Sequence, residues 1–422
     1  MTDGSVGSTA LGARRSPASR PAGSRLAPAA VPLLFLIADT GGGHRAAARA
    51  VTEALEAAYP RMFAPVLCDP LTGPRSAPLL RFVSRLYGPV VRLAPWAWGA
   101  AWHLSNLRPV AALLQRTLYA LADQPVADLA AACRPAVIVS FHPLTGHAAA
   151  RARGGTGGPA VVTVVTDLVT AHASWRTGSS DRVVVPTAAA LRWFDRGATA
   201  GRCVETGLPV TAHFTGSPPS EPARAELRRS LGIGDRGFVV LVAGGAEGCG
   251  GIARQAKAIV TRLPGVRVVT ICGRNGRALR TLTALAAGSG GRLMVKGFVS
   301  NLADWLRCAD LLVTKAGPGM IAEAACCGTP MLLTSHLPGQ ERGNTEFAVA
   351  AGAARRAVGL RDLVREAGLL HRDPDTLRQM RASCATLARR TAAADTAEVI
   401  ARLAGAAHSG GLDGPAGGRR RQ

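Results

Sequence analysis

Aromatic residues are scarce, at 4% of the 422-residue chain. Its cores must therefore be built from Val, Leu, Ile and Ala. A nucleic-acid reader that interleaves basic side chains with stacking rings is disfavoured, and no nucleic-acid partner is expected. Lysine is nearly absent: of 50 basic residues only Lys257, Lys296 and Lys315 are lysines. Acidic residues number 27, leaving a formal net charge of +23. That excess reflects either an Arg- and Ala-rich composition or attraction to an anionic substrate or membrane surface. No CxxC pair occurs among the nine cysteines. Most lie in apolar runs, which argues against structural zinc or a disulfide framework and for a reducing cytoplasm. No apolar run reaches the ~20 residues of a spanning helix. No DxD-type carboxylate pair stands out as a metal site, so neither metal nor cofactor is expected.

What is present is two α/β series. Strand-like apolar runs fall at 33–38, 136–141, 161–165 and 182–185, then at 237–243, 267–272, 293–296, 311–314 and 330–334. Helical patterns lie between them, including 44–58 and 110–132 in the first series and 319–327 and 343–351 in the second. The alternation predicts an α/β chain with two doubly wound parallel sheets facing across a cleft. The expected division is a disordered tail over 1–30, an acceptor and membrane-binding domain over 31–212 and a linker over 213–236. A nucleotide-sugar-binding domain over 237–407 and a disordered tail over 408–422 complete it.

Each series contains a strand that runs into a glycine turn and then a helix. In DTGGGH, Gly42 and Gly43 permit close backbone approach, and free N–H groups at the helix start attract anions. The turn is neither a P-loop nor a dinucleotide fingerprint, since GK[ST] and the third glycine are missing. His44 follows in the first helical turn, where a neutral imidazole suits deprotonation of an attacking hydroxyl. In the second series, TKAGPGMIAEA carries Gly317, Pro318 and Gly319, with Glu323 four residues on, placed to accept ribose hydroxyls. PGQERGN adds Gln340, Glu341 and Asn344, able to grip sugar hydroxyls. An ordinary tight turn, an exposed helical Glu and a solvated loop are the bland alternatives.

These stretches resemble the monogalactosyldiacylglycerol synthase and processive diacylglycerol glycosyltransferase family. TDLVTAH at 166–172, GLPV at 207–210, CGRN at 272–275 and VKGF at 295–298 are similar to it in the same order. The C-terminal half also resembles the bacterial peptidoglycan glycosyltransferase that adds N-acetylglucosamine to lipid I. The resemblance implies a GT-B fold, a UDP-sugar substrate held by the second domain and a diacylglycerol-like acceptor at the first. It implies an inverting, metal-independent hexosyl transfer in glycolipid synthesis. It makes His44 the base, with Glu341 a second catalytic candidate. Gly245, Arg274, Phe298, Gly317, Pro318, Gly319, Glu323, Gln340, Glu341 and Asn344 are implied on the donor side, Gly245 within the loop GGAEG. TDLVTAHASW departs from the family's His-Pro-x-Trp.

Residues 70–122 contain no Asp or Glu. Arg81 and Arg85 with Trp96, Trp98 and Trp102 suit a segment lying in a membrane interface. The family's acceptor-binding insertion falls in the same place. The expected location is therefore cytoplasmic, peripheral on the inner face of the cell membrane, against anionic lipid. Another hydrophobic acceptor, such as a polyprenyl lipid or a secondary metabolite, is the alternative.

Overall fold

The computed structural model describes residues 30–38, 42–73, 76–155, 157–194 and 199–409. The expected tails lie almost wholly outside these residues, as do Asp39, Thr40 and Gly41 of the first glycine turn. The first sheet comprises β1 (Val31–Leu36), β2 (Phe63–Cys68), β3 (Val137–Ser140), β4 (Ala160–Val164), β5 (Arg182–Val185) and β6 (Cys203–Glu205). All pairings are parallel, in the order β2-β1-β3-β4-β5-β6. The second comprises β7 (Phe238–Ala243), β8 (Val266–Ile271), β9 (Leu293–Lys296), β10 (Leu311–Lys315), β11 (Met331–Ser335) and β12 (Ala354–Arg356). It is also parallel, in the order β12-β11-β10-β7-β8-β9.

The central strands are continuous apolar runs because helices cover both of their faces. Every residue of β7 (FVVLVA) is buried. The edge strands β2, β6 and β12 escape periodicity arguments because they are short or partly exposed. β2 alternates between half-buried and exposed positions at its start and carries Pro65, which an edge tolerates. The pattern over 110–132 is broken rather than one helix. Helix α4 (Arg108–Arg116) gives way to a single 3₁₀ turn at Tyr119–Ala122 and a second helix at Asp123–Cys133.

Two segments differ from the sequence division. Within 213–236, Glu221–Ser230 is a helix on the second domain, not free linker. Its Arg224 and Arg228 reach Asp310 at 2.6 and 2.8 Å, nearly out of solvent. Losing one member of such a pair typically costs about 3–5 kcal/mol, which explains why a mostly polar stretch is held in place. The helix Ala392–Ser409 returns to the first domain, where Ala397, Ile400 and Ala404 fill the same core as Leu33, Phe35 and Leu55. A boundary drawn from linear order alone cannot anticipate that return, which ties the two domains together. Thr206 Oγ1 and Thr396 Oγ1, 3.1 Å apart, lie at the crossing.

Candidate active site

Helix α1 (Gly43–Ala58) begins at Gly42, whose φ of 83° lies in the left-handed region that glycine favours. A side chain on Gly42 would come within 3.6 Å of Ala246 Cβ in the second domain, so the two glycine-rich turns meet across the cleft. Gly43 faces open space. His44 Nδ1 lies 2.7 Å from the Phe141 carbonyl oxygen and 2.8 Å from Thr166 Oγ1. A carbonyl can only accept, so Nδ1 carries the proton and Nε2 of the neutral ring keeps its lone pair. Burial lowers the His44 pKa to about 4, with the Phe141 carbonyl pulling it back up. The ring is therefore neutral at pH 7. His142 stands edge-on at 4.6 Å, and burial together with His44 holds it neutral too.

Asp167, two places beyond the apolar run that forms β4, was not singled out from the sequence. It is buried, accepting hydrogen bonds from Trp175 Nε1 at 2.7 Å and from Gln340 Nε2 at 3.0 Å. Burial raises its pKa to about 6, offset by the bonds from Gln340 and Trp175. The bond to Gln340 spans the cleft. The signal for Asp167 was its place in TDLVTAHASW, eight residues before a tryptophan able to donate to it. In that motif His172 contacts Ser105 Oγ at 3.1 Å, and its Nδ1 caps the turn at Ala173–Trp175. The Ala-Ser replacement therefore leaves a closed, capped loop.

The donor-side residues lie at the carboxyl ends of adjacent strands, where open α/β sheets bind ligands. Gly245 follows β7, Arg274 follows β8, Phe298 follows β9 and Gly317 follows β10. Gly245 (φ 71°) opens onto free space, whereas Gly248 has no room for a side chain beside the Cys272 carbonyl. Arg274 pairs with Glu247 at 3.3 Å and points to solvent. Phe298 is 64% exposed. Pro318 starts the helix Pro318–Cys327, a position where its missing N–H costs nothing. Among the described residues Glu323 has no hydrogen-bond or ion-pair partner, and burial raises its carboxyl pKa to about 8. Its Oε1 lies 4.0 Å from where a Gly319 side chain would start.

The PGQERGN loop differs in detail from a set of side chains reaching for a sugar. Glu341 is buried, with Oε1 2.5 Å from Lys315 Nζ and Oε2 accepting from Leu337 N at 2.8 Å. Both carboxylate oxygens are thus engaged by protein, and Glu341 orients Lys315. Asn344 donates to the Ala316 carbonyl at 2.9 Å, fastening the helix Arg342–Ala350 to the glycine turn. The buried Gln340 Oε1 and Asn344 Oδ1 have no hydrogen-bond partner among the described residues. Lys315 was visible in the sequence only as one of three lysines. No group of three or more His, Cys, Asp or Glu side chains suited to a metal occurs among the described residues.

Helices α2 (Pro78–Leu93), α3 (Pro95–Ser105) and α4 carry the residues expected on the acceptor side. Not all of it faces outward. Trp102 is only 8% exposed and lies under the C-terminal loop, where a side chain on Gly339 would be 2.6 Å from its ring. Gly99 lies equally close to Pro338. Trp98 is half-buried, edge-on to Tyr87 at 5.0 Å. Trp102 is thus an interdomain contact rather than a membrane contact, because α3 fills the space above the loop. Trp96 at 76% and Leu93 at 85% are open, as are Phe82, Leu86, Leu104 and Leu113. Arg85 is exposed and Arg81 half-buried. No helix among the described residues is long and apolar enough to cross a membrane.

Two parallel six-stranded sheets with a glycine turn from each meeting across a cleft are the GT-B glycosyltransferase architecture. Solved structures agree on the fold. MurG of Acinetobacter baumannii superposes with a TM-score of 0.56 at 17% identity, covering 88% of this chain and 99% of its own. Staphylococcus aureus MnaA, solved with UDP, gives 0.57 at 14% identity, covering 86% and 94%. A model of monogalactosyldiacylglycerol (MGDG) synthase matches residues 44–210, and one of the glycosyltransferase family 28 C-terminal domain matches 239–402. Monogalactosyldiacylglycerol synthase 3 of Arabidopsis thaliana is 31% identical over 334 residues, 76% of this chain and 70% of its own length. A probable monogalactosyldiacylglycerol synthase of Nicotiana tabacum is 31% identical over 338 residues. The chain belongs to the monogalactosyldiacylglycerol synthase family. It spans 61% and 64% of the lengths of the tobacco and soybean relatives.

The His44 assignment has a direct check. Histidine ¹⁵N shifts should show the Nδ1–H tautomer for His44, with titration displaced well below pH 6.5 toward about 4. An Nε2–H tautomer, or titration near 6.5, would contradict the geometry.

Proposed function

We propose that the chain transfers a hexose from a UDP-sugar to the hydroxyl of a diacylglycerol-like lipid at a membrane surface. The observation that carries this reading is the meeting of the Gly42 turn, with neutral His44 behind it, and the 244–248 loop across the cleft, while Glu323, with no partner among the described residues, stands behind the Gly317–Gly319 turn of the same second domain. Membership of the family supports it, as do relatives named for monogalactosyldiacylglycerol synthesis and a structural neighbour solved with UDP. The acceptor oxygen attacks the anomeric carbon from the side opposite the diphosphate, inverting the centre. His44 Nε2 takes the hydroxyl proton. The bond from the anomeric carbon to the β-phosphate oxygen breaks, and its electron pair leaves with UDP. The Gly319 N–H of the second turn, where the Gly317 N–H is donated to the Lys315 carbonyl and Pro318 has none, and the N–H groups of Gly245 to Glu247 stabilise the departing charge, without a metal.

Glu323 accepts the ribose hydroxyls, and Gln340 serves the sugar end while its amide holds Asp167. Tyr87, half-buried and edge-on to Trp98, belongs to the acceptor side of the cleft. The exposed Leu and Trp side chains of α2 and α3, with Arg85 beside them, lie in the interface of an anionic leaflet. We take the enzyme to be peripheral on the inner face of the cell membrane, a reading that this exposed apolar and basic face supports.

Turnover is read as UDP release from UDP-galactose or UDP-glucose in the presence of diacylglycerol vesicles. His44→Ala should lower it by roughly 10²–10⁴-fold, the range of a lost general base. Retained turnover would remove His44 from the mechanism. Absence of turnover with every diacylglycerol, while UDP still binds, would shift the acceptor to another hydrophobic molecule.

UDP binding should depend on pH through Glu323. The free carboxyl has a pKa of about 8, and hydroxyl donors favour its ionised form. Binding therefore lowers that pKa, and affinity rises with pH, by about tenfold from pH 7 to 9. Calorimetry with Glu323→Gln should lose this slope. An unchanged slope would detach Glu323 from the nucleotide.

A further inference from the structure

We infer that Lys315 is the cation that meets the donor diphosphate and offsets the charge it gains as the glycosidic bond breaks. The assignment rests on the proposed function and adds to it a residue that neither the sequence motifs nor the comparisons single out.

Lys315 is the last residue of β10, immediately before the glycine turn. Its Nζ lies 3.0 Å from the point where a Gly317 side chain would begin. Its Cβ lies 3.7 Å from the corresponding point on Gly250, at the end of the loop after β7. The lysine therefore stands between Gly317 and Gly250, one at each glycine-rich turn, where neither residue carries a side chain. Glu323 flanks the far end of the same turn, above Gly319. Lys315 and Glu323 thus flank opposite ends of one turn, the order in which the phosphates and the ribose of a nucleoside diphosphate would meet them.

Orientation comes from Glu341. Its Oε2 is held by Leu337 N, and its Oε1 receives one of the three ammonium N–H bonds. Among the described residues Glu341 is the one side chain recorded bonding Lys315 Nζ, so further N–H groups are free to donate. The Lys315 side chain keeps 20% of its exposure, whereas that of Glu341 keeps 4%. Of the arginines near the loop after β7, Arg274 is more than half exposed and pairs with Glu247, and Arg254, beside Gly251, is also exposed. In the transfer step one negative charge passes to the β-phosphate oxygen while the hydroxyl proton passes to His44. A fixed ammonium in a water-poor cleft offsets that charge without giving up a proton, and a hydrogen bond to a charged group is worth more there than in water.

The test compares ligands that differ only in phosphate. Affinities of the full chain for UDP and for uridine are measured by calorimetry in the wild type, Lys315→Met and Lys315→Arg. Lys315→Met should weaken UDP by about 10–100-fold, the worth of one charged hydrogen bond, and leave uridine unchanged. Lys315→Arg should recover part of the loss. Because Lys315→Met strands the buried Glu341, the double variant Lys315→Met/Glu341→Gln is measured beside it and should show the same selective loss. UDP affinity unchanged in the double variant, or UDP and uridine weakened equally, overturns the assignment. A wild type that binds neither ligand overturns the proposed function, and this assignment with it.

Discussion

The site depends on one loop, Leu337–Glu341, wedged between the two domains. Gly339 allows the chain to pass against the Trp102 ring, where any side chain would collide. The next residue, Gln340, bonds Asp167 of the first domain, and Glu341 bonds Lys315 of the second. Three consecutive residues thus touch the acceptor-side helix, the buried carboxylate of the cleft and the cation beside the glycine turn. A shift of this loop would disturb all three. Helix Ala392–Ser409, seated in the first core, supplies a second tie far from the cleft and limits how far the domains can part.

Electrostatically the cleft separates its jobs by burial. His44 and His142 are kept neutral, Asp167 is raised toward neutrality, and Glu323 is raised further by desolvation, with no partner among the described residues to offset it. Lys315 and Glu341, by contrast, answer each other at 2.5 Å. A half-buried, desolvated carboxylate without donors is disfavoured in its charged form until a ligand supplies them, which is why Glu323 reads as half of an interaction. The Phe141 carbonyl does comparable work on His44, since it fixes which of its ring nitrogens is free.

Much of this was legible in the chain. Continuous apolar runs gave the inner strands of both sheets, and the strand–glycine–helix turns at Gly42–Gly43 and Gly317–Gly319 marked the strand ends that form the cleft. The resemblance brought His44 and Glu323 to the same cleft. Other features were not legible, for physical reasons. Short edge strands bury too little to leave a pattern. Asp167 and Lys315 each depend on a partner 173 or 26 residues away. Trp102 shares its neighbourhood in sequence with the exposed Trp96, yet helix α3 turns one ring to the C-terminal loop and the other to solvent. Composition gives the arginine excess of residues 70–122, but only the packed helices separate the open apolar face from the interdomain one.

The central claim is that nucleotide binds the turns of the second domain while lipid binds the helices of the first. Amide hydrogen exchange on the full chain, with UDP and separately with diacylglycerol vesicles, tests it most directly. The account predicts that UDP protects 244–251 and 315–323 and leaves α2 unchanged, and that vesicles protect α2 and α3. UDP protection confined to the first domain, or vesicle protection absent from α2 and α3, would contradict it.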